Sequence, residues 1–174
     1  VVVYQLKLAG EFEELDRFLD KMKSVPDSMR IVSVNLAEET IELIREGFAT
    51  STDPYGKSWP GLKIRNGQPL RDTGGLQSSW HRSHVTADRF TVAASKDYAI
   101  YHQRGTGIYG PKRRRIKPVT ARALRFPGPS GYIFASSVAG VPRRRMVPER
   151  GRLPSRWRER YVRIAQDVLT ELFK

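Results

Sequence analysis

The 174-residue chain has no cysteine, which excludes disulfides, thiolate metal sites and cysteine nucleophiles. That lack fits a protein made in a reducing cytoplasm. No apolar run approaches the roughly 20 residues that a membrane-spanning helix needs, so no membrane partner is expected. The opening Val1-Val2-Val3-Tyr4 run is too short to be expected to act as a secretory signal. Acidic side chains are missing from the whole interval between Asp97 and Glu149. Histidine is scarce as well: only His81, His84 and His102 occur.

Beside these absences stands a strong excess of positive charge, +13 overall. It is confined to one region. Residues 1–103 hold 13 Lys and Arg against 14 Asp and Glu, whereas residues 104–163 hold 17 against Glu149 and Glu159 alone. A separation of this kind points to an acidic protein or nucleic-acid partner. The alternative is a basic surface that serves solubility. The cations are mostly arginine, whose planar fork suits carboxylates and phosphates.

Hydrophobic periodicity outlines an α+β chain of one domain over residues 1–174, with a basic loop and hairpin arm at about 105–150. Val1–Leu8 reads as a short strand. Phe12, Leu15, Phe18, Leu19 and Met22 mark a helix from Glu11, and Pro26 predicts a break before a second helix that runs to Phe48. That second helix is apolar on two faces: Ile31, Val34, Ile41, Ile44 and Phe48 on one, Met29, Val32, Leu36 and Leu43 on the other. It is therefore expected to pack on both. Turn residues fill 51–69. Two strands, Ser79–Thr86 and Arg89–Ser95, form a hairpin about Ala87-Asp88. Asp97 is placed to cap a short helix, Tyr98–His102. A second hairpin pairs Ala123–Phe126 with Tyr132–Val138, and a closing helix runs from Pro154 to Phe173 with Trp157, Tyr161, Ile164, Val168 and Leu172 on its apolar face.

Motifs that suggest chemistry fail on context. Gly105-Thr106-Gly107-Ile108-Tyr109-Gly110 spells a dinucleotide fingerprint, but four basic residues follow where a helix and then an acidic residue are needed. Gly56-Lys57-Ser58 resembles the end of a phosphate-binding loop, but Ser51 stands where its first glycine belongs. His81 and His84, three apart on a strand, point to opposite faces and do not share a metal. Ser78, Ser79 and His81 are neighbours in sequence, which is no evidence for a triad. No catalytic residue, cofactor site or metal site is expected.

Three blocks do form a set. They are Asp53-Pro54-Tyr55-Gly56 with Trp59-Pro60-Gly61-Leu62; Leu70 with Thr73-Gly74-Gly75-Leu76 and Ser79; and Tyr98-Ala99 with His102-Gln103-Arg104-Gly105-Thr106. In order and spacing they resemble the virion morphogenesis (tail completion) family of contractile-tailed phages of the Mu type. The resemblance covers about Phe48 to Thr106. Asp53, Pro54, Gly56, Trp59, Thr73, Gly74, Leu76, Tyr98, His102 and Gly105 are then fold determinants. Beyond Thr106 the chain departs from the family. Arg144 takes the place of a usual arginine, but the Pro-Phe that follows it in the family is absent.

The resemblance implies a non-enzymatic ring, commonly of six copies, at the head-proximal end of the tail. Its partners are neck or connector proteins and tail tube or sheath proteins, and packaged DNA in the channel is a possible contact. It implies a virion protein assembled in the host bacterial cytoplasm, acting as a tail terminator or in head–tail joining. Lys112, Arg113, Arg114, Arg115, Arg122, Arg125, Arg143, Arg144 and Arg145 are the expected assembly surface. The competing reading is a nucleic-acid-binding protein that uses the arginine-rich 112–160 region as a nonspecific phosphate clamp.

Overall fold

Helix formers dominate the first third of the chain, and they produce one helix, α1 (Glu13–Thr50), where Pro26 predicts two. A proline inside a helix forfeits one hydrogen bond and crowds the preceding turn, at a cost of about 3 kcal/mol. That penalty is local, and Met22, Lys23, Met29 and Arg30 on either side favour continuing the helix. The computed structural model describes residues 13–63, 66–128 and 131–172. The strand expected at Val1–Leu8, the first turn at Glu11 and the end of the last helix at Phe173 lie outside them.

Among the residues of α1 whose side chains are described, the buried ones lie in its second half. Val32, Ala37, Ile41, Leu43, Ile44 and Phe48 are buried, whereas Met29 is exposed and Ile31 is 52% exposed. The expected two-sided packing therefore holds from Val32 onward and fails at Met29 and Ile31. Helix α3 (Ser155–Leu172) and the hairpin of β1 (Trp80–Val85) and β2 (Phe90–Ala94) both pack on α1. Strands β1 and β2 are antiparallel, pairing Trp80 with Ala94 and Val85 with Phe90, with a bulge between Arg82 and His84.

The core joins Leu43, Ile44 and Phe48 of α1 to Trp59, Leu70, Leu76, Met146 and Trp157. Phe48 meets Trp59 edge-on, centroids 5.5 Å apart. Phe48 and Ile44 are fully buried, each stabilising the fold by about 1.5–3 kcal/mol. Thr40 Oγ1 donates to the Leu36 carbonyl at 2.7 Å, so the Tyr161 hydroxyl, 2.6 Å away, donates to Thr40. This bond and the Trp157 ring anchor α3.

The short helix α2 (Ala99–Arg104) is entered from Tyr98, and Asp97 does not cap it. The arm carries β3 (Leu124–Gly128) and β4 (Gly131–Ala135), antiparallel, with Phe126 opposite Ile133. The strands thus form two separate two-stranded hairpins instead of one sheet. Each strand pairs with its nearest neighbour in sequence, and among the described residues no strand joins their edges. No described helix is long and apolar enough to cross a membrane.

Candidate assembly surface

The three sequence blocks converge on the backbone of residues 143–147. Arg144, expected on an exposed surface, is only 5% exposed. Its Nε and Nη2 donate to the carbonyls of Pro60 and Gly61 at 2.8 and 2.9 Å, and its backbone N–H donates to the His102 carbonyl at 2.8 Å. The guanidinium thus fastens the first block, and its amide the third. Trp59 Nε1 donates to the Arg145 carbonyl at 2.9 Å, and Leu76 of the second block packs in the same cluster as Met146. Gln103 completes the joint: its amide nitrogen donates to the Val147 carbonyl, and its Oε1 accepts the N–H groups of Met146 and Val147. Sequence reasoning missed Gln103, although its place in the third block beside His102 was the available signal.

Local geometry explains the block residues. Asp53 Oδ1 accepts the N–H groups of Tyr55 and Lys57, both at 2.9 Å, which folds Asp53–Ser58 into a tight turn with Gly56 at φ +84°. Thr73 Oγ1 accepts the Gly75 N–H at 3.4 Å, and Gly74 turns the chain at φ +79° to deliver Leu76 to the core. Gly107 sits so close to Ala139 that a Cβ would lie 2.0 Å from its carbonyl oxygen. The glycines of the apparent dinucleotide fingerprint therefore serve close backbone approach, with Thr106 and Ile108 donating to Val141 and Ala139.

Several more arginines are neutralised internally. Glu149 accepts from Arg143 at 2.8 Å and Arg145 at 2.9 Å and lies 3.9 Å from Arg152; Arg145 also faces Asp53 at 3.7 Å. Desolvation pushes the Glu149 pKa up, but Arg145, Arg143 and Arg152 together outweigh it and hold the carboxyl below its ordinary value. Arg160 pairs with Glu39 and with Glu46, which Arg156 also meets. Arg143 and Arg145, expected as free interface cations, thus bind within their own chain.

The arm is different. Lys112, Arg113, Arg114, Arg115, Arg122 and Arg125 are exposed, as is Lys117. Arg115 bonds to Ser137, and the Arg125 guanidinium lies over the Tyr132 ring at 3.9 Å. Neither β3 nor β4 packs extensively on α1, α3 or the β1–β2 hairpin. Tyr132 is 60% and Phe134 65% exposed. The hairpin thus presents aromatic and cationic side chains to solvent.

Polar groups that suggest catalysis are committed elsewhere. Ser78 Oγ donates to the Gly74 carbonyl and Ser79 Oγ to that of Leu76. His81 and His84 are exposed. His102 has its pKa lowered, by burial first and by Arg144 second, and its Nδ1 has no hydrogen-bond partner among the described residues. No three His, Asp or Glu side chains converge among the described residues. No family model, no curated protein and no solved structure matches the chain, so the meaning of this surface rests on its own residues.

Proposed function

We propose that this protein is a non-enzymatic structural subunit of the neck or tail-completion type. In this reading it assembles into a ring at the head-proximal end of a contractile phage tail and enables stable head–tail joining. The observation that carries the proposal is the β3–β4 arm, with Tyr132 and Phe134 exposed beside a row of arm cations. Side chains of this kind are characteristic of surfaces that become buried on assembly. The sequence blocks support the same reading, because their residues hold turns and joints together.

Negative-stain microscopy of the purified protein, and of tails made without it, tests the proposal. Rings of the free protein, with tails of uncontrolled length or tails that fail to join heads, are the expected result. A monomer that binds duplex DNA tightly, with affinity falling steeply as salt rises, would instead establish the phosphate-clamp function.

A further inference from the structure

The two strands of the arm differ in what they offer along their outer edges. Pro127 of β3 is paired with Tyr132 of β4. Proline has no N–H, so within a ladder its nitrogen lies on the side away from the partner strand. In an antiparallel ladder the two members of a pair turn their N–H and C=O groups either toward each other or away. Tyr132 therefore turns its backbone groups to the outer edge of β4, and so does Phe134, two residues on. Among the described residues no third strand lies there, and neither residue makes a backbone bond outside the hairpin. The outer edge of β3 is closed by the same proline and by the charge of Arg125, two devices that keep a strand edge from pairing. Strand β4 carries neither a charge nor a proline.

The face beside that edge is open as well. Arg125 and Pro127 share it with their partners Phe134 and Tyr132, and all four are exposed, whereas Leu124, Phe126 and Ala135 on the other face are half-buried. Arg125 lies over the Tyr132 ring and has no ion-pair partner among the described residues, unlike Arg143, Arg145 and Arg160. No carboxylate occurs in the sequence between Asp97 and Glu149, and none of the four strands carries one. The arm of a second copy would set arginine against arginine. Charge therefore selects a different protein as the occupant.

We propose that the outer edge of β4 takes up an extended, acidic segment of a neighbouring protein as a third strand. The outward N–H and C=O groups of Tyr132 and Phe134 bond its backbone. Its side chains lie along the two exposed rings, and its carboxylates meet Arg125 beside Tyr132. Strand addition to an open edge is a recurrent mode of recognition, in which backbone bonds supply affinity and side chains supply choice. The contact rests on the assembly reading given above and specifies the chemistry of the partner.

Hydrogen exchange and peptide binding test it. The probe is a short fluorescein-labelled peptide of alternating glutamate and valine, and the matching lysine–valine peptide is its control. In the free protein the Tyr132 and Phe134 amides are expected to exchange rapidly. Saturating glutamate peptide is expected to slow them by about tenfold or more, as closed backbone bonds do. Amides already protected in the free protein would show the edge to be filled within the chain, which overturns the proposal. The lysine peptide is expected to bind about tenfold more weakly or worse, because it brings like charge to the arm. Phe134→Ala removes the ring and keeps the N–H, whereas Phe134→Pro removes both. The proline variant is expected to bind the glutamate peptide about tenfold more weakly than the alanine variant, since one backbone bond is lost and its acceptor left bare. Equal affinities of the two variants, or no binding of the glutamate peptide, overturn the strand addition. Oligothymidylate that outcompetes the peptide, and is lost equally in both variants, would make this face a stacking platform for single-stranded nucleic acid instead. Normal rings and tails built from a protein whose edge is inert would leave the assembly reading standing. Strand addition by a protein that forms no ring and changes no tail would keep the edge and remove the neck role.

Discussion

Two arginine runs, Arg113-Arg114-Arg115 and Arg143-Arg144-Arg145, are identical in sequence and opposite in situation. The first lies on the exposed arm, where its neighbours are Lys112 and Ile116 and where its side chains, among the described residues, hydrogen-bond only to Ser137. The second threads between the loop at Pro60-Gly61, the end of α2 and Glu149, and its middle member is buried. The difference lies in what is near them. A run of arginines becomes interior where carbonyls and carboxylates are folded around it, and stays on the surface where the chain supplies none. Charge counted along the sequence therefore overstates the basic surface, since Arg143, Arg145, Arg156 and Arg160 are spoken for within the monomer.

The largest break in this comparison is expected from Arg144→Ala. The change leaves the Pro60 and Gly61 carbonyls without donors and opens a space beside Leu62 and Leu76, destabilising the fold by about 3 kcal/mol in urea unfolding. Arg144→Lys is expected to recover less than half of that, since an ammonium cannot reproduce the two-pronged fit. Arg114→Ala, the matching position of the outer run, is expected to change stability by no more than ~0.5 kcal/mol, and equal losses at the two sites would abolish the distinction.

A pH series sharpens the comparison with an intermediate effect. His102 has a lowered folded-state pKa, so the unfolded chain binds the proton more readily. The stability that neutral His102 contributes is complete above the ordinary imidazole value of 6.5 and is lost as pH falls below it toward the folded-state value. His102→Gln is expected to flatten the dependence of unfolding free energy on pH between neutrality and pH 5. The same slope in both proteins would show that His102 is not the group responsible. A small effect of opposite sign is expected at Arg113, which holds φ +47°. Arg113→Gly relieves that conformation and is expected to stabilise the fold by about 0.5 kcal/mol, measured the same way.

How much of this was legible beforehand follows from the range of the forces involved. Both hairpins could be read because alternation and turn residues act over a few positions, as Phe90, Val92 and Ala94 do in β2. The apolar face of α3 was legible for the same reason, and Trp157 is buried as its spacing implied. The break at Pro26 was misjudged because a local penalty was weighed without the long helix on either side of it. The cap at Asp97 was misjudged, because the helix is entered from Tyr98 and no side chain caps it. The roles of Gln103 and Glu149 could not be read, since they are bonds to residues some 40 positions away or to several arginines at once, although the place of Gln103 in the third block marked it for attention.

By itself the sequence determined the alternation of elements, the location of the positive excess and the turn residues that shape the three blocks. Those depend on side-chain type and short-range spacing, which a chain carries before it folds. Only the tertiary structure decided which arginines are interior struts and which are surface. A guanidinium is equally at home in water or in a ring of acceptors, and only packing brings the acceptors to it. The +13 charge belongs to the sequence. Its concentration into an exposed arm belongs to the fold.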